Sequence, residues 1–120
     1  MHKMILLTAA SAALTATAAQ AHSQLVTANP APNAVVRAAP TQLQLTFNEP
    51  VMARFVTLSA TAPDGATLHV GTVTVDPRNR ARVTAPLHGA SHAGAYRVNW
   101  TAAGSDMHRM SGSYSFTVRP

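Results

Sequence analysis

The sequence contains no cysteine. No disulfide can staple the fold, and no thiolate is available as a metal ligand or nucleophile. Acidic groups are also scarce, four in all against nine Lys and Arg. They are Glu49, Asp64, Asp76 and Asp106. A paired acid–base site would have to be drawn from Glu49 and Asp106, and nothing in their setting argues for one. Aromatics are limited to one Trp, two Tyr and three Phe. There is no Gly-x-Ser-x-Gly elbow and no glycine-rich phosphate loop. The basic excess does not make a nucleic-acid surface. Its densest cluster, Arg78-Asn79-Arg80-Ala81-Arg82, holds no aromatic residue, whereas such surfaces carry a basic stripe. The cluster reads as a solvated hairpin or edge strand whose charge prevents edge-to-edge pairing. No nucleic-acid partner is expected.

The N-terminal stretch is of another kind. His2 and Lys3 make a short basic start, 5–19 carries no charge, and Ala19-Gln20-Ala21 follows just before His22. A basic start, an apolar middle and a small-x-small exit form a secretory signal, too short and too Ala-rich for a membrane span. Residues 1–21 are therefore expected to be a cleaved leader, and 22–120 a single domain close to the lower size limit for a self-sufficient core. An exported domain without disulfides fits the periplasm.

The rest of the chain shows no long helical pattern and alternates with period two. Leu43, Leu45 and Phe47 alternate with Gln44 and Thr46. Val73 and Val75 alternate with Thr72 and Thr74. Tyr96, Val98 and Trp100 alternate with Arg97 and Asn99, and Tyr114, Phe116 and Val118 with Ser115 and Thr117. Each run presents one apolar face to a core and one polar face to water. Turn chemistry recurs between them, at Asn29-Pro30-Ala31-Pro32-Asn33, Pro63-Asp64-Gly65, Asp76-Pro77-Arg78-Asn79 and His88-Gly89-Ala90-Ser91. About seven strands with this punctuation predict an all-β, immunoglobulin-like Greek-key sandwich or barrel. Phe47, Tyr96, Trp100 and Phe116 are the expected core, and 67–75 is read as one strand.

The chemistry-bearing residues are few. Cleavage after Ala21 gives His22 the free α-amine. That amine and the imidazole Nδ1 of the same residue close a six-membered chelate ring on a metal, at little cost in chain entropy. Asp106 and His108 stand two apart in Gly104-Ser105-Asp106-Met107-His108-Arg109. In an extended segment such residues point the same way, so a carboxylate and an imidazole would converge on one ion. The alternatives are that Asp106 orients His108 from outside the ligand set, or caps a turn beside an exposed His. Two nitrogens from His22, a further imidazole and a carboxylate make a tetragonal N,O set, which favours Cu(II). Glu49, at the end of the Phe47 strand, is either a weak ligand, a partner of the His22 amine or a solvated turn carboxylate. His69, His88 and His92 read as adventitious metal contacts at best; His88 and His92 are four apart, a spacing that pairs ligands on a helix and not in a loop with Gly89. Met52, Met107 and Met110 form no Met-x-x-Met run, and Met52 and Met110 read as packing residues.

The segments Ala21-His22-Ser23-Gln24-Leu25, Ala28-Asn29-Pro30-Ala31-Pro32-Asn33, Leu43-Gln44-Leu45-Thr46-Phe47-Asn48-Glu49-Pro50-Val51, Gly94-Ala95-Tyr96-Arg97-Val98-Asn99-Trp100, Ser105-Asp106-Met107-His108-Arg109-Met110-Ser111-Gly112 and Phe116-Thr117-Val118 together resemble the CopC family of periplasmic copper-resistance proteins. The resemblance covers essentially the whole of 22–120. It implies a small Greek-key barrel, immunoglobulin-like or cupredoxin-like in topology. It implies one Cu(II) ion per mature chain, held by an N-terminal His and by the Asp and His of the Ser-Asp-x-His element, here His22, Asp106 and His108. The family's nearby acidic residue falls on Glu49. Some members have a second, Met-rich Cu(I) site mid-chain; here 52–71 holds only Met52 and His69, a departure that leaves that site unsupported. The family also implies an inner-membrane copper transporter of the CopD type as partner, here a separate chain since no such segment follows Pro120.

The expected function is thus a monomeric periplasmic Cu(II) carrier or buffer and not an enzyme. The rival is a copper-dependent oxidative enzyme of the polysaccharide-monooxygenase kind, which also starts with a chelating His on an immunoglobulin-like sandwich but presents a broad, frequently aromatic face. A third reading, a metal-free adhesion or interaction domain, requires that the mature chain bind no Cu(II).

Overall fold

The computed structural model describes residues 24–120; the expected leader 1–21 and the ligand candidate His22 lie outside the described residues. The strands are β1 (Leu25–Asn29), β2 (Val35–Val36), β3 (Gln42–Phe47), β4 (Thr57–Thr61), β5 (Thr67–Val70), β6 (Thr74–Asp76), β7 (Asn79–His88), β8 (Gly94–Ala102) and β9 (Met110–Val118). The one helical element described is a 3₁₀ turn at Ala53–Phe55. No helix among the described residues is long and apolar enough to cross a membrane.

The strands follow one another laterally as β1-β3-β7-β5-β4-β8-β9-β2, with β6 alongside β7. All pairings are antiparallel except β2 with β9. The all-β, barrel-like architecture expected from the alternation is what forms. It holds nine strands, where the alternation suggested about seven. The extra ones are β2, whose two residues are too short to show a period, and β6, of three residues, whose alternation is read together with that of β5. The stretch 67–75 is two strands and not one. Gly71 marks the break, where an added Cβ would lie 3.0 Å from the Pro86 ring.

The sheet curls around the apolar faces that the alternation marks. Leu43, Leu45 and Phe47 from β3, Val83, Ala85 and Leu87 from β7, Tyr96, Val98 and Trp100 from β8, and Tyr114, Phe116 and Val118 from β9 are all buried. Two aromatic pairs organise this core. Tyr96 stacks on its cross-strand neighbour Phe116, with ring centroids 5.2 Å apart. Phe47 meets Trp100 edge to face, also at 5.2 Å. Trp100 in turn lies opposite Gly112, and a Cβ there would come within 2.6 Å of the indole. Gly112 lets the indole come close to the β9 backbone, an approach that a side chain forbids.

Tyr114 adds a pH-sensitive element. Its hydroxyl is buried without a hydrogen-bond partner among the described residues, and burial pushes its pKa from 10.0 up to about 12. Between those values the unfolded chain gives up the phenolic proton while the folded chain keeps it, so rising pH favours unfolding. Denaturant midpoints should be level below pH 10 and fall between about pH 10 and 12. A Tyr114→Phe variant should show a shallower fall over the same range; an identical profile would count against this account.

Candidate metal centre

Asp106 and His108 sit in the connection between β8 and β9. That connection is not extended, as the two-residue spacing argument assumed, but turned. The Met107 N–H donates to the Gly104 carbonyl at 3.0 Å, and Met107 takes a left-handed conformation with φ of 62°. The Asp106 carboxylate accepts from the His108 backbone N–H at 3.2 Å. This is an Asx-type contact, the local bond an Asp side chain makes two residues on. The carboxylate is therefore tied to the backbone that carries the imidazole, by turn geometry and not by strand alternation. Both residues are exposed, where an incoming ion can reach them.

Glu49 borders the same region. It follows β3 and precedes Pro50 and Val51, whose segment is laced to two neighbours. The Val51 N–H donates to the Arg80 carbonyl at 2.9 Å, and the Met52 N–H to the Ala103 carbonyl at 3.1 Å. Gly104 permits the contact: a Cβ on it would lie 2.8 Å from the Pro50 carbonyl oxygen. A cleft of about 720 Å³ opens here, lined by Glu49, Met52, Arg54, Arg80, Ser105 and Asp106 among others. The structure brings Glu49 and Asp106 to one cleft and joins Asp106 to His108 in one turn. Arg54 and Arg80 add two positive charges to its wall. Arg80, expected in a solvated hairpin or edge strand, is exposed and also lines this cleft, because the start of β7 bonds to Val51.

The chain enters this region through a two-bond clamp. The Gln24 N–H donates to Asn48 Oδ1 at 2.7 Å, and the Asn48 N–H donates to the Gln24 carbonyl at 2.9 Å. β1 then runs along β3, with Leu25 opposite Phe47. The residue two after His22 is thus fastened to the residue just before Glu49. Sequence reasoning missed Asn48. The available signal was a short acceptor side chain at a strand end, where Asn commonly captures a backbone N–H.

The remaining candidates are placed elsewhere. Met110 packs against the core, while Met52 lines the cleft. The His92 backbone is held by Tyr96: its N–H donates to the phenol oxygen at 3.0 Å, and the phenol donates to its carbonyl at 2.6 Å. His88 pairs with His69 across strands and not with His92. Among the described residues, no three His, Cys, Asp or Glu gather closely enough to hold a metal by themselves. The donor types that are present, an imidazole and carboxylates without thiolate or thioether clusters, suit a hard-to-borderline divalent ion.

Comparison with known proteins gives the family. The CopC domain family matches residues 25–119. "Copper resistance protein C" of Escherichia coli is 33% identical over 108 residues, covering 84% of each chain. "Copper transport protein CutJ" of Bacillus subtilis is 28% identical over 98 residues, 82% of this chain but 18% of that protein. The crystal structure of CopC from Methylosinus trichosporium OB3b superposes with a TM-score of 0.74 at 27% identity, over 82% of this chain and 95% of that one.

Proposed function

Because the chain belongs to the CopC domain family, we propose that it is a periplasmic copper carrier that holds one Cu(II) ion through His22, Asp106 and His108. The observation that carries this reading is the Asp106–His108 turn beside the Glu49 cleft. The Gln24–Asn48 clamp fastens the start of the described chain to the residue next to that cleft. Two extended residues span at most about 7 Å, so a chain beginning at His22 carries its amine only a short way from the clamp.

The chemistry follows from the donors. The His22 amine and Nδ1 supply one chelate ring, His108 a third nitrogen and Asp106 an anionic oxygen. An anionic oxygen in the equatorial plane stabilises Cu(II) over Cu(I), and a full plane leaves little room for dioxygen. Glu49, which shares the cleft with Asp106, would either accept a hydrogen bond from the amine or bind weakly. Copper is cargo here. The aromatic residues support a carrier over an oxidative enzyme, since five of the six, Phe47, Tyr96, Trp100, Tyr114 and Phe116, are buried, and the half-buried Phe55 by itself is no polysaccharide platform. The match to one segment of a much longer copper transport protein supports delivery to an inner-membrane transporter.

The test is a Cu(II) titration, under a competing chelator, of two forms of the protein. One begins at His22 and the other retains Ala21, which turns the amine into a peptide nitrogen. The first should bind one equivalent tightly, and the second should be weaker by about a hundredfold or more, a difference of at least ~2.7 kcal/mol. Equal binding by both forms would remove the amine from the ligand set.

A further inference from the structure

β5 and β7 run side by side at the far end of β7. There His69 stands directly opposite His88, and Val70 opposite Leu87. The two imidazoles are stacked, with ring centroids 5.3 Å apart and planes at 25°, and both residues are exposed. The alignment is set by the backbone. The Gly71 N–H donates to the Pro86 carbonyl at 2.8 Å, and Leu87, next to His88, is buried in the core. A one-residue slip would turn Leu87 outward, so the register is strongly specified. The side chains of directly opposed residues leave the same face of a sheet.

Two imidazoles side by side on paired strands form a two-nitrogen donor for Zn(II), Ni(II) or Cu(II). No thiolate exists in the chain, and no third His, Asp or Glu among the described residues gathers with them. Water must complete the coordination shell, which makes such a site open and exchangeable, unlike closed four-ligand structural sites. It is also remote from the metal centre above. Arg80 lines that cleft, and His88 ends the same strand, Asn79–His88, about 26 Å further on at the usual rise of ~3.3 Å per residue.

We propose that His69 and His88 form a second metal site, which takes one divalent d-block ion through one ring nitrogen from each residue. Cu(II) binds there more tightly than Zn(II), following the usual order for nitrogen donors. When copper is in excess, the pair accepts the equivalent that follows the first. The site stands whether or not the first one holds copper.

Zn(II) alone, titrated into the full chain and followed through the imidazole Cε1–H resonances, tests this residue by residue. The His69 and His88 signals should shift together with a single midpoint, while that of His92 stays in place. His69→Asn and His88→Asn should each weaken binding at this site by about tenfold or more, at least the loss expected when a metal's supporting partner is removed. The backbone spectrum of each variant should stay native, because both side chains are exposed. Movement of only one ring, separate midpoints for the two, or variants that bind Zn(II) as the wild type does would overturn the site.

Discussion

His108→Ala should lower the Cu(II) affinity of the chain that begins at His22 by more than the roughly 10–100-fold that loss of an outer-shell partner costs. The variant removes a proposed copper-binding nitrogen from an exposed residue outside the buried core. Asp106 allows a finer dissection, because its carboxylate has one observed and one proposed duty. It accepts the His108 N–H at 3.2 Å, and on the proposed reading it is also the anionic donor. Asp106→Asn keeps an oxygen that can accept that N–H but removes the charge; Asp106→Ala removes both. The Asn variant should therefore retain the turn yet bind Cu(II) far more weakly. Its copper potential should move upward, because the oxidised ion has lost an anionic oxygen. Met52→Leu keeps the volume of a cleft-lining side chain and should change affinity less than twofold. A Met52→Leu loss equal to that of His108→Ala, in the same chelator competition, would move the site away from the β8–β9 turn.

The second large effect concerns stability. Trp100→Ala should cost about 3–5 kcal/mol, the usual penalty for emptying a large aromatic site. Trp100 is 7% exposed, meets Phe47 edge to face at 5.2 Å and covers Gly112. A domain of this size has only about 5–15 kcal/mol in total, and each kcal/mol shifts the midpoint by roughly 4–8 °C. The loss should exceed ~12 °C in thermal melts of the metal-free protein. Gly112→Ala probes the same contact from below. Its new methyl would sit 2.6 Å from the indole, and overpacking typically costs about 1–3 kcal/mol. If neither variant lowers the midpoint, the indole is not seated on Gly112.

The metal centre shows why the sequence is legible in one dimension and less so in the other. Asp106 and His108 were visible as a pair because they are two residues apart, but the sequence left their geometric relation open. A common face of an extended segment and a turn capped by Asp106 were both compatible with the spacing, and the structure shows the turn. The actual link is the Asx-type bond, made possible by a left-handed Met107. A single non-glycine residue with positive φ leaves little trace in composition. Asn48 and Arg80 went unnoticed as parts of the site for a related reason. Each acts on a partner far away in the chain, Asn48 on Gln24 and Arg80 through the Val51 N–H. His69 and His88 are the same case: singly they are ordinary exposed histidines, and only strand register makes them neighbours.

What the sequence determined by itself is local and periodic. Alternation at 43–47, 96–100 and 114–118 named the core residues, because a strand must put every second side chain on one face. The punctuation by Pro, Gly, Asn and Asp placed most of the turns, and the absence of cysteine settled that no thiolate takes part. What only the tertiary structure decided is lateral: the order of strands in the sheet, the split of 67–75 at Gly71 and the meeting of Pro50 with Gly104. So too are the clamp of Gln24 by Asn48 and the opposition of His69 and His88. These depend on which strand hydrogen-bonds to which and in what register. Backbone pairing of that kind is common to every residue type, so the side-chain pattern along one strand does not encode its neighbour.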